Sequence, residues 1–96
     1  MGITISILGA IPNRAYGTHV NPDTLTTQGF GYIELNADSS PTGIYRGWYI
    51  LVIGSSSSRD IWQIVSEDSV ALFNFYVRKK HDNNWTAWKA VTMTTL

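Results

Sequence analysis

Residues 48–53 read Trp48-Tyr49-Ile50-Leu51-Val52-Ile53, an unbroken apolar run. Its length is that of a strand, and a run with no polar interruption suits a central strand covered on both faces. Its flanks punctuate it. Before it, residues 36–43 (NADSSPTG) are dense in turn formers and read as a loop. After it come Gly54 and the serines 55–58, a polar loop tip.

Working outward, residues 30–35 alternate. Phe30 and Tyr32 fall on one face of a strand, and Ile33 and Leu35 on the other. On the far side, residues 61–65 form a strand that ends at the turn Glu67-Asp68-Ser69. Residues 72–79 follow, with Phe73, Phe75 and Val77 opposite Leu72, Asn74, Tyr76 and Arg78. Residues 80–84 (KHDNN) turn the chain before Trp85, and residues 88–93 make a last short strand. Near the start, Ile3, Ile5 and Ile7 alternate with Thr4 and Ser6, and residues 13–20 show no period. Asn21-Pro22-Asp23 has a capping Asn followed by Pro, the opening of a helix. The threonines that follow limit it to one turn. The pattern predicts an all-β chain: a small antiparallel sheet or sandwich of about five or six short strands with one short helical turn. Residues 1–20 are set apart as an N-terminal arm, and residues 21–96 form the β domain.

The bulk composition narrows function mostly by exclusion. The chain has 96 residues, with seven basic and seven acidic side chains and no cysteine. A neutral chain has no electrostatic reason to seek nucleic acid or an anionic membrane. It also lacks the charge that keeps copies apart, so self-association is expected. The opening apolar stretch has no cationic start and is too interrupted to act as a signal peptide or a membrane span. His19 and His81 stand apart, with no partner at metal-ligand spacing. No G-x-S-x-G elbow occurs, the Gly54 serine run lacks the lysine of a phosphate loop, and nothing pairs two carboxylates. No catalytic residue, metal ligand or cofactor is expected. Asn84-Trp85-Thr86 matches a glycosylation sequon that we read as chance. Arg78-Lys79-Lys80 is read as solvated charge blunting a strand end, not as a nucleic-acid site.

Three stretches, in order, resemble the pyocin-knob type of module found in phage tail fibres and in phage-like bacteriocin particles. NPDTLTTQGFGY (residues 21–32) is similar to the family's D-x-L-T-T-x-G-F-Y opening. Residues 36–53 hold an N-A loop with Pro41 and Gly43, then G-W-Y-I-L-V-I. YVRKKHDNNWTAWKAV (residues 76–91) is similar to a Y-x-R followed by W-S-x-W-K. Gln28 stands where proline is frequent, Gly31 where an aromatic is common, and Glu67-Asp68-Ser69 where the family has a glycine-rich turn. The resemblance implies a non-enzymatic module on a homotrimeric fibre, located in the virion or in a prophage-encoded particle, with residues 1–20 as the end of a shaft. It implies attachment to bacterial surface polysaccharide or lipopolysaccharide. The alternatives are a purely structural connector in the same fibre and a carbohydrate-binding module of a larger enzyme.

The family pattern assigns no binding residues, so these come from chemistry. Sugar rings pack C–H faces on aromatic planes, and amides, acids and arginine hold their hydroxyls. Tyr45, Arg59 and Trp85 each border a loop and are expected to be exposed. Asp82, Asn83 and Asn84 complete the candidate ligand-binding set. Trp48, Trp62 and Trp88 are assigned to the interior.

Overall fold

The computed structural model describes residues 11–54, 59–69 and 74–96. The alternation at Ile3, Ile5 and Ile7, the serine run and the start of the 72–79 strand lie outside the described residues. Six strands build one antiparallel sheet: β1 (Gly29–Leu35), β2 (Arg46–Ile53), β3 (Asp60–Glu67), β4 (Phe75–His81), β5 (Asn84–Trp85) and β6 (Lys89–Val91). The first four strands pair in chain order, and both β5 and β6 pair with β4. The all-β antiparallel expectation holds, as one sheet rather than a sandwich. The helical turn is a 3-10 turn at Pro22–Thr24, where the Asn21 side chain accepts a hydrogen bond from the Asp23 amide at 3.0 Å.

Cross-strand register sorts the side chains. Ile33 faces Trp48, Ile50 faces Val65, and Val52 faces Gln63. With Leu35 and Ile61 these apolar side chains are the buried core. Tyr16, Val20, Leu25, Tyr76, Trp85 and Trp88 pack against it from above. Residues 12–20 run alongside β1 rather than standing off. The amide of Arg14 donates to the Phe30 carbonyl at 2.8 Å, and that of Glu34 to the Gly17 carbonyl at 3.0 Å. An edge strand that would otherwise invite pairing is thereby occupied.

The opposite face is a different surface. Phe30, Leu51, Ile64 and Val77 form one cross-strand row, and Tyr32, Tyr49, Ser66, Phe75 and Val91 form the next. No described segment lies over them. Tyr49 is 58% exposed and Trp62 43%. Two sequence expectations are corrected here. Among the described residues, the 48–53 run is covered on one face only, the core face, where Tyr16, Val20, Leu25, Trp85 and Trp88 gather. Trp62, assigned to the interior, lies on the open face because its partners Ile53 and Lys79 point there too. A third correction concerns Arg78-Lys79-Lys80. These residues lie on β4, all three paired with β3 and Lys80 also with β5, and Arg78 is buried.

Gly31 shows how the arm sets the sequence. A Cβ there would lie 2.1 Å from the Arg14 carbonyl oxygen, a backbone atom of a residue whose amide is tied to the Phe30 carbonyl. The aromatic common at this position in the resembled family has no room. Gly31→Ala is therefore expected to lower stability by about 1–3 kcal/mol through overpacking. The check is a urea titration, in which the midpoint falls while the slope is unchanged.

Candidate functional site

The candidate residues separate into two groups. Arg59 lies just before β3, and Asp82 and Asn83 form the turn between β4 and β5. The Asp82 amide donates to the Arg59 carbonyl at 2.8 Å, and Arg59 Nε reaches Asp82 Oδ1 at 2.9 Å. Asp82 takes a left-handed backbone with φ of 55°, a conformation that Asp and Asn tolerate in tight turns. Asn83 and Asn84 are exposed beside it. Tyr45, also exposed as expected, precedes β2 at the other end of the sheet. A strand of this length spans roughly 23 Å, so Tyr45 cannot share a monosaccharide with the Asp82 turn. Its ring stacks on His19 at 4.8 Å, and its hydroxyl donates to Glu34, which raises its pKa.

Behind the Asp82 turn, Asp60 Oδ1 meets His81 Nδ1 at 2.7 Å and Lys79 Nζ at 3.5 Å. The His81 hydrogen bond, more than the Lys79 charge, holds the Asp60 carboxyl below its ordinary value, against a smaller opposing desolvation. All of these groups are solvated, so the pairs stabilise the fold little.

Trp85 is half-buried rather than exposed, and the reason is Arg78. The Arg78 guanidinium sits 4.0 Å from the centre of the Trp85 ring and 4.6 Å from that of Trp88. Arg78 is 8% exposed. Its Nε donates to Gln63 Oε1 at 2.8 Å, and its Nη1 reaches Asp23 Oδ1 at 2.8 Å. Gln63, itself fully buried, turns its amide nitrogen to the carbonyls of Pro22 and Leu25 at 2.7 and 2.9 Å. Burial pulls the guanidinium below its ordinary pKa and Asp23 pushes it back up, and an arginine stays protonated throughout. Nη2 is buried and finds no acceptor among the described residues.

This cluster floors a groove on the covered side of the sheet. A cleft of about 220 Å³ is lined by Asn21, Asp23, Asp38, Ser39, Arg78 and Trp88, among others. A second, of about 280 Å³, shares Asn21, Asp23, Asp38 and Ser39 with it and continues to Asn36 and His19. The indole of Trp88 is fixed at one end by donating to the Ser39 carbonyl at 3.2 Å. At the other end, His19 Nδ1 lies 2.5 Å from Asn36 Oδ1. Sequence reasoning placed Asn21 in a cap and Asp38 in a loop without joining them. Only the pairing of β3 with β4 puts Gln63 opposite Arg78. The one available signal was an unpaired arginine in a strand whose alternation pointed it inward. Among the described residues, no group of three His, Cys, Asp or Glu side chains is placed to hold a metal ion.

Two outcomes are expected. Arg78→Ala empties the space beside two indoles and leaves the buried Gln63 Oε1 without its donor, at a cost of about 3 kcal/mol in urea titration. Asp23→Ala leaves a buried guanidinium without its carboxylate and costs about 2–3 kcal/mol, less than the loss of a fully buried partner because the Asp23 side chain is half-exposed. In an NMR titration, the Asp60 carboxyl midpoint lies below the ordinary value of about 3.9 and rises toward it in His81→Ala. The sign follows from the depressed value. The His81 contact stabilises the fold fully above the unfolded-state pKa of Asp60 and is lost as pH falls through the folded one.

Comparison of the chain with protein-family models, with characterised proteins and with solved structures finds no match in any of the three.

Proposed function

We propose that this chain is a non-catalytic knob module of a phage tail fibre, or of a phage-like particle, that assembles as a homotrimer and attaches to glycan on the bacterial surface. The observation that carries the reading is the meeting of its three family-like stretches at one residue. Asp23 from the first and Trp85 and Trp88 from the third meet the guanidinium of Arg78, and Asp38 and Ser39 from the second line the cleft that Arg78 also lines.

Self-association is supported by the open face. A sheet is stable when both faces are covered or one is polar, and this face is largely apolar with no described segment over it. It carries an apolar depression of about 350 Å³ between Phe30, Tyr49, Leu51, Ile64 and Phe75. Charge lies at its corners, with Glu34 and Asp68 at one and Asp60, Lys79 and Lys89 toward the diagonally opposite one, where Asp60 is 3.5 Å from Lys79. Copies can therefore meet around an apolar centre, with no net charge to oppose it.

A second reading, a connector with no ligand of its own, is favoured by one observation. Tyr45, Arg59 and Trp85 are each engaged inside the molecule, by Glu34 and His19, by Asp82 and by Arg78. The test has two steps. Light scattering is expected to give a trimer, and Leu51→Glu, which puts a charge at the centre of the open face, is expected to give a folded monomer. The trimer is then expected to bind bacterial cells with weak salt dependence, because few charges are neutralised, and to leave the polysaccharide uncut. A parent monomer overturns the assembly, and cut polysaccharide overturns the non-catalytic reading. A trimer that binds no cell leaves the connector.

A further inference from the structure

The geometry points to the groove between Trp88 and His19 as a binding site for a neutral saccharide, held by Asp38, Asn21, Ser39 and the spare donor of Arg78. This deepens the proposed attachment to glycan and rests on it. It moves the contact from the Asp82 turn, where the residue types had placed it, to the covered side of the sheet.

Four features carry the assignment. The first is Nη2 of Arg78, which has no acceptor among the described residues and belongs to a residue that lines the cleft. A buried donor without an acceptor is costly to keep, and a partner from outside the chain, a water or a ligand oxygen, relieves that cost. The second is that the guanidinium is not free to rearrange. Two indoles, Gln63 and Asp23 fix its plane, which makes it a preorganised donor. The third is the mixture of groups along the wall. Asn21 offers an amide, Ser39 a hydroxyl, and Asp38 an exposed carboxylate, which are the types that hold vicinal hydroxyls. Trp88 offers part of an apolar plane at one end, and the stacked His19 and Tyr45 stand at the other. The fourth is charge. Asp23 neutralises Arg78, so Asp38 leaves the groove net negative. That disfavours acidic sugars and phosphate and leaves a hydroxyl or acetamido oxygen as the acceptor for Nη2.

Asp38 lies in an exposed loop, so Asp38→Ala tests the site without touching the core. The probes are methyl glucoside, galactoside and mannoside, and N-acetylglucosamine, with N-acetylneuraminic acid as the anionic comparison. The readout is the indole N–H signal of each tryptophan in a nitrogen-15 NMR spectrum. At least one neutral sugar is expected to shift the Trp88 signal at millimolar concentration, more than it shifts that of Trp62. Asp38→Ala is expected to weaken that sugar about tenfold, as loss of one charge-assisted hydrogen bond does. The sialic acid is expected to leave Trp88 unmoved. Equal binding by Asp38→Ala, a response to the acidic sugar alone, or shifts confined to Asn83 and Asn84 would each overturn the assignment. The outcome also separates the two readings. If the trimer adheres to cells while no sugar moves Trp88, attachment stands and the groove falls. If it adheres to no cell and no sugar moves any signal, both fall.

Discussion

The guanidinium of Arg78, close to the rings of both Trp85 and Trp88, ties together parts of the chain that are far apart in sequence. Taking a cation out of water is expensive unless it is paired and hydrogen-bonded. Here two indole rings, the Gln63 carbonyl oxygen and Asp23 answer most of it. Gln63 in turn holds the carbonyls around the 3-10 turn. The turn is a few residues long with no helix behind it and could not keep a position on its own. It stays over the sheet because β3 and β4 reach up to it.

That arrangement makes the sheet one-sided. The core side receives residues 12–28, the 36–43 loop and the segment from Trp85 to Trp88, while the other side receives no described segment. A strand such as β2 then carries apolar residues on both faces for different reasons. Trp48, Ile50 and Val52 fill the core of this chain, whereas Tyr49, Leu51 and Ile53 present a surface. An apolar sheet face of this extent is ordinarily an interaction surface. The proposed trimer gives it an occupant of the same composition.

The two ends of the sheet also differ in kind. At the Asp82 end, Arg59, Asp60, His81 and Asp82 form exposed ion pairs that largely satisfy one another. At the Asn36 end, polar groups face into a groove whose floor contains a donor with nothing to bind. Polar side chains of the same types thus do different work. Where they reach one another they close a turn, and where the backbone holds them apart they leave room for a ligand.

Much of the fold was legible in the residues. Period-two alternation in β1 and β4 placed Ile33 and Leu35 opposite Tyr32, and Tyr76 opposite Phe75, because successive side chains must point to opposite faces. Asn21-Pro22 marked the turn, because a capping amide and a fixed φ act within three residues. These are local constraints, and they survive in any tertiary setting. Register, coverage and partner choice are not local. Whether the 48–53 run was covered once or twice depended on where the rest of the chain went. Arg78 looked like surface charge until β3 set Gln63 opposite it, and β5 and the segment after it brought Trp85 and Trp88 over it. The candidate binding set divided for the same reason: Tyr45 and Asp82 are equally plausible by chemistry, but a full strand length separates them. The sequence by itself determined strands, turns and the alternation of faces, since these follow from backbone geometry and side-chain type over a few residues. Only the tertiary structure decided which face is core, which charge is buried and where polar groups converge, because each depends on contacts between residues distant in the chain.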